Sequence, residues 1–400
     1  MTLLDDAAGI SDDLADLRHR LHRRPEIGLK LQRTQQAVLE ALDGLDLEIT
    51  AGQEIGSVTA VLRGGQTSEQ APVVLLRADM DALPVHEEVD VPFRSTVDGA
   101  MHACGHDLHT SMLVGAARLL SARRDQIAGD VVLMFQPGEE GYQGAAKMID
   151  GGVLGAAGRA ADQAFALHVL PNQVSRGTIA SRPGAVMAAS DGLFVTARGA
   201  GGHAASPHLA HDPVPAICEM VMALQTAITR RIDAFEAAVL TVGRLKAGTK
   251  HTVIPETAGF EASVRTFDRG VRRKVREIAH QVCQGIADAH GVEVVIEYVE
   301  ECPVTLNDSG ATAFAFETAS ELFGDSRTFT LPRPLTGTED FSRVLERVPG
   351  AMVLIGACPD GHDLDTAPSN HSPHAVFDDS VLADGAALYS QLALRSLKQN

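Results

Sequence analysis

Short, unbroken apolar runs recur along this chain, separated by stretches in which apolar residues return every three or four positions. The runs are Val73-Val-Leu-Leu76, Val131-Val-Leu-Met-Phe135, Phe165-Ala-Leu-His-Val-Leu170 and Met352-Val-Leu-Ile355. A strand with one wet face would alternate apolar with polar residues. Runs without that alternation suit strands covered on both faces, as in a parallel sheet between helices. Between the runs, Leu113, Ala116, Ala117 and Leu120 keep the spacing of one helical face, with Thr110 placed to cap it. Near the start, Ser11-Asp12-Asp13 ahead of Leu14, Leu17 and Leu21 predicts a capped amphipathic helix on which His19 and His22 need no special role. The pattern predicts an α/β fold, a mixed and mostly parallel sheet sandwiched by helices.

Between Arg182 and Pro303 the order changes. A strand (191–198), a helix (213–231), two strands (237–247 and 257–268), a helix (271–289) and a strand (292–300) follow one another. This β-α-β-β-α-β order predicts a ferredoxin-like α+β domain at 182–303, inserted into a larger domain formed by 1–181 and 304–400. On the second helix Val271, Val275, Ile278, Val282 and Ile286 form one stripe, which leaves His280, His290 and the Arg272-Arg273-Lys274 run to solvent.

Composition removes several function classes. A formal charge of −18 over 400 residues argues against a nucleic-acid partner, which needs concentrated Lys and Arg. The acidic start MTLLDDAAGISDDL does not resemble a signal peptide, and no apolar run has membrane-spanning length, so no membrane partner is expected. Five scattered cysteines do not form a disulfide framework, so a cytoplasmic location is expected. Four of them, Cys218, Cys283, Cys302 and Cys358, read as small core residues.

Cys104 has different company. The stretch 100–111, AMHACGHDLHTS, sets it among His102, His106, Asp107 and His109. These residues suit metal ligation, a thiol nucleophile with its base, or a polar turn. Asp79 and Asp81 follow the first apolar run, Glu139 and Glu140 follow the second, and His168 lies late in the third. In open α/β sheets the loops at the carboxyl ends of strands form the active crevice. A loop with Asn370, His371 and His374 adds further polar groups. A cysteine hydrolase needs one base and one orienting partner, which leaves Glu139, Glu140, His168 and His371 unused. Imidazole, carboxylate and one thiolate together are the donor set of a transition-metal site. Adjacent glutamates allow one to bind metal while the other handles a proton. The GxGxxA-like Gly199–Ala204 stretch is followed by Pro207, Pro213 and Pro215 where a phosphate-binding helix would begin, so it does not read as a nucleotide site.

MHACGHDLH, PGEE, the LHV histidine, GGHAASPH, the TVIP and VRTF segments, TEDFS and NHSP follow one another in the order of the M20 metallopeptidase family. The chain resembles its amidohydrolase branch over nearly the whole length, the branch of hippurate hydrolases, N-acyl-amino-acid amidohydrolases and auxin-conjugate hydrolases. The resemblance implies two divalent metal ions (zinc, manganese, cobalt or nickel), about 3.5–4 Å apart. It implies Cys104, His106, Glu140, His168 and His371 as ligands, Glu139 as general base, and Asp79 and Asp107 as carboxylates that orient the ligands. It makes the inserted domain a lid that forms a homodimer, with His203 stabilising the oxyanion in the partner's site and Arg265 gripping a substrate carboxylate. Gly337 and Thr338 would line the acyl side. Where the family has Asn before Val-Ile-Pro this chain has Thr252, with His251 beside it to supply what a hydroxyl lacks.

The expected activity is hydrolysis of an N-acyl amino acid to a carboxylic acid and an amino acid. A dipeptidase or aminopeptidase on the same site is the alternative within the class. A catalytically silent metal-binding protein is the alternative outside it, and it would have had no reason to keep Glu139.

Overall fold

The computed structural model describes residues 2–68 and 70–398. By internal contacts the chain divides into two units, one of Met1–Val186, Leu306–Arg333 and Asp340–Asn400, the other of Met187–Thr305 and Pro334–Glu339. The stretch Pro334–Glu339, with Gly337 and Thr338 in it, thus groups with the second unit.

The first unit is built on an eight-stranded sheet. Its order is Glu48–Ala51, Val58–Arg63, Asp130–Gln136, Val73–Asp79, Gln163–Leu170, Gly350–Gly356, Ile179–Ser181 and Thr328–Thr330. The four apolar runs became four adjacent parallel strands. Every residue of Val73–Asp79, Asp130–Gln136 and Gly350–Gly356 is buried, as expected of strands covered on both faces. Glu48–Ala51 and Val58–Arg63 run antiparallel at one edge.

Helices Ser11–His22, His106–Ser121 and Val381–Ser396 bury Leu14, Leu17, Leu113, Leu120, Leu388 and Leu392 in one core with the sheet's apolar side chains. Gly115 lets them close up. A Cβ there would stand 2.7 Å from Ala386 Cβ and 2.8 Å from Leu14 Cδ1, so no larger residue fits.

Two capping expectations need correction. The helix expected to start at Thr110 starts at His106, and Thr110 lies inside it, its hydroxyl donating to the Asp79 carbonyl at 2.9 Å. The strand end offers Thr110 an acceptor that helix spacing does not reveal. The Ser11–His22 helix has no side-chain cap, because a short helix, Leu3–Gly9, precedes it directly.

In the second unit, strands Ala189–Arg198, Ala238–Ala247, Thr257–Thr266 and Glu293–Cys302 form an antiparallel sheet. Numbered by their order in the chain, they lie side by side as 2-3-1-4. Helices Pro213–Arg231 and Arg269–His290 share a core with its inward side chains, among them Leu193, Val195, Phe260 and Val264. Asp212 and Asp268 cap the two helices by accepting backbone N–H groups of the first turn.

Arg272 is a correction within the basic run. It donates to Asp191, whose carboxylate also takes the Tyr298 hydroxyl at 2.7 Å, so it is an anchored group and not a solvated one. Cys218 is a second correction: it is exposed, on the helix face turned away from this core.

Candidate metal centre

The parallel strands bring the polar residues together because they end in register. Asp79 pairs with Gln136 across the sheet, so the segments leaving those strands, with Asp81 and with Glu139 and Glu140, begin side by side. His168 lies near the end of the neighbouring strand, and the turn carrying Cys104 leads into the His106–Ser121 helix.

Among the described residues five groups have ligand atoms within 4.8 Å of one another, and three of them bring expected ligands together: Cys104 with His106 and His168, Cys104 with Glu140 and His371, and His106 with Glu139 and Glu140. Cys104, His106 and Glu140 each belong to two of these three groups, so the three merge into one cluster.

Hydrogen bonds fix which ring nitrogens are available. His106 donates through Nδ1 to the Asp81 carbonyl at 2.8 Å, so Nε2 carries the lone pair, and that atom is buried without a partner. His168 donates through Nδ1 to the Val169 carbonyl at 2.8 Å, which leaves its Nε2 3.4 Å from Cys104 Sγ. Glu140 Oε1 lies 3.1 Å from His371 Nε2. A thiol, imidazoles and carboxylates that converge at such distances favour a cation among them, either a proton on the rings or a metal ion. The residues present therefore fit a thiolate, imidazole and carboxylate metal centre.

His109 is different. Its Nδ1 donates to Asp79 Oδ1 at 2.6 Å and its Nε2 accepts the Val169 N–H at 2.8 Å, so neither nitrogen can serve a metal. His102 is buried and belongs to none of the three groups.

The electrostatics point the same way. Burial works against charge on His106, but Asp79, Asp81 and Cys104 raise its pKa well above the ordinary value. Cys104 and Glu140 push His371 up to about 10. Burial raises Glu140, and His371 and His106 outweigh that and lower it. A hollow that favours positive charge on two imidazoles is one that favours a cation.

Around these groups lies a layer of buried charged residues. Asp79 is fully buried and also accepts from Arg77 Nη1 at 2.7 Å. Asp107 binds Arg18 and His22. Sequence reading gave no role to Asp81, which accepts the Glu139 N–H at 2.9 Å and the Glu140 N–H at 3.1 Å, holding both glutamates in place. Its signal was the period of two: with Asp79 at the strand end, the next residue on that side is Asp81. His22 is a correction, since it is buried and bonded at both nitrogens to Asp107 and Glu87.

The remaining residues expected at the site belong to the second unit. His203 pairs with Val253 in a two-stranded ribbon, where the Thr252 carbonyl accepts the Ala204 N–H at 3.1 Å, so His203, Thr252 and His251 share one small structure. The Ala205 N–H donates to His203 Nδ1 at 3.0 Å, and the neutral ring then carries its proton on Nε2. Arg265 Nη1 donates to Ser190 Oγ, Ser263 Oγ and the Val264 carbonyl. Gly337 presents its carbonyl to the Ala188 N–H at 2.9 Å.

Residues 75–395 match the model of peptidase family M20/M25/M40. Thermostable carboxypeptidase 2 of Saccharolobus solfataricus is 33% identical over 396 residues, 98% of each chain. The hippurate hydrolase of Campylobacter jejuni is 34% identical over 400 residues, 100% of each. Among solved structures, a dinuclear metal-binding peptidase of the M20 family from Bacillus subtilis superposes with a TM-score of 0.82 at 31% identity, covering 98% of this chain and 99% of that one.

Proposed function

This chain belongs to peptidase family M20/M25/M40, in its amidohydrolase branch of metal-dependent amide hydrolases, and we propose that its substrates are N-acyl amino acids. The observation that carries the reading is the convergence of His106 Nε2, buried without a hydrogen-bond partner, with Cys104, Glu140, His168 and His371, directly beside Glu139. Under this reading Cys104, His106, Glu140, His168 and His371 would hold two divalent ions. When bound, the metal polarises the scissile carbonyl and acidifies water.

Glu139 takes the proton of the attacking water and delivers it to the departing nitrogen, so one carboxylate serves as base and then as acid. Asp81 keeps Glu139 beside the ligands through its backbone N–H. His203 offers its Nε2 proton to the developing oxyanion, the tautomer that the Ala205 bond favours. Arg265 holds the α-carboxylate of the substrate, for which a planar guanidinium is suited.

Hippurate and the C-terminal residue of a peptide share one group, an amide nitrogen whose carbon bears a free carboxylate. A carboxypeptidase and a hippurate hydrolase as relatives both fit that demand. The test is turnover by metal-depleted protein reconstituted with single metals. The substrates are N-acetyl and N-benzoyl amino acids, their carboxamides and free dipeptides. N-acyl acids are expected to turn over, with kcat/KM at least about tenfold lower for the carboxamides, since a gripped carboxylate contributes a charge-assisted hydrogen bond. Carboxamides cleaved as well as the acids would remove the Arg265 role. Faster cleavage of free dipeptides would make the enzyme a dipeptidase.

A further inference from the structure

Behind the metal centre lies a second buried cluster whose groups come from three distant segments. Arg18 and His22 stand on the Ser11–His22 helix, Glu87 on a loop, and Asp107 in the first turn of the His106–Ser121 helix. All four are at most 4% exposed. Asp107 Oδ2 receives Arg18 Nε at 2.9 Å and His22 Nδ1 at 2.8 Å. Arg18 Nη1 reaches on to Asp379 Oδ1 at 2.8 Å, and His22 lies 3.1 Å from Glu87 Oε1 through Nε2. With an acceptor at each ring nitrogen, His22 donates from both and is an imidazolium.

Burying so many charges is a poor route to stability, because desolvation offsets most of what the pairs return. What the cluster does supply is direction. Asp107 follows His106 immediately, and the helix N-terminus it sits on has no side-chain cap. A rotation of that turn would swing His106 Nε2 and displace Cys104 two residues earlier.

We propose that Arg18 and His22 are positioning residues of the metal centre, acting through Asp107 to fix the first helical turn and so the direction of the Cys104 and His106 ligand atoms. This rests on the metal centre assigned above, not on the substrate assigned to it.

The test measures metal binding directly, by chelator competition and by the absorption spectrum of the cobalt-substituted protein. Arg18→Met and His22→Gln are each expected to weaken metal binding about 10–100-fold, the usual cost of losing a group that orients a ligand, and to shift the cobalt spectrum. In an Asp107→Asn background, Arg18→Met is expected to add little, because the group it acts through is already disabled. Arg272→Met, which removes a comparable anchor to Asp191 in the second unit, should lower the melting temperature and leave metal binding unchanged. Arg18→Met and His22→Gln proteins that melt earlier yet bind metal within twofold of wild type, with an unshifted cobalt spectrum, would reduce the cluster to a structural role. Should Arg18→Met fail to fold, His22→Gln alone decides, since it removes the charge and keeps a donor. A wild type that binds metal but cleaves no N-acyl amino acid would sink the substrate reading and leave this one standing.

Discussion

In the proposed mechanism two adjacent glutamates divide the chemistry, and at the residue scale their contacts differ. Both backbone N–H groups are tied to Asp81, so the two side chains start from the same clamp. Glu140 Oε1 lies 3.1 Å from His371 and within reach of Cys104, whereas Glu139 reaches toward the Asp340 N–H at 3.4 Å. The first contact lies among the other expected ligands, and the second ties Glu139 to a backbone donor, which is the contrast the proposed roles rest on. Glu139→Gln is therefore expected to lower kcat by about 10²–10⁴ while metal content, measured by elemental analysis, stays at the wild-type value. Glu140→Gln should lose metal first. The opposite pattern would exchange the two assignments. At this scale the sequence was informative wherever residue type decides chemistry: thiol, imidazole and paired carboxylates announce a metal site. It was silent on Asp81 and misleading on His22, because their importance lies in what they touch, and contacts 58 or 85 residues apart leave no local pattern.

At the scale of elements, the turn ahead of the His106–Ser121 helix carries two constraints at once. Gly105 has φ +81°, and a Cβ there would stand 2.3 Å from Val169 Cγ2, one residue after His168. His371 occupies the same left-handed region at φ +70°, unusual for a residue with a Cβ and typical of functional turns. Gly105→Ala is expected to cost on the order of 2–5 kcal/mol, combining left-handed backbone strain with overpacking, and to weaken metal binding as the turn shifts. Thermal unfolding together with chelator competition checks this, and an unchanged melting temperature would mean that the turn is looser than drawn. The same scale explains which elements were legible. Long runs such as Val131–Phe135 could be recognised because burial on both faces leaves no polar interruption. Ile179–Ser181 and Thr328–Thr330, three residues each, are too short for any period to register. They are strands because a neighbouring strand offers them hydrogen bonds.

For the molecule as a whole, the oxyanion donor of each site is proposed to come from a second subunit. That assignment follows from the resemblance of the inserted domain to a dimerising lid, and it has a sharp consequence. If the base and the oxyanion donor come from different chains, a dimer of one His203→Ala chain with one Glu139→Gln chain keeps one intact site. It pairs Glu139 of the first chain with His203 of the second, while the other site carries both defects. Random mixing gives half mixed dimers, each with one working site of two, so activity should recover to about a quarter of wild type. If both residues serve the same chain's site, every site holds one defect and mixing recovers nothing. The parent variants must each be nearly inactive for the comparison to count. For Glu139 the expected fall meets that condition, and for His203 the loss of one oxyanion donor, about 10²–10³ in kcat, meets it as well. Recovery that requires co-expression, and is absent when the purified homodimers are combined without exchange, would locate the division of labour in the assembled dimer and not in free chains.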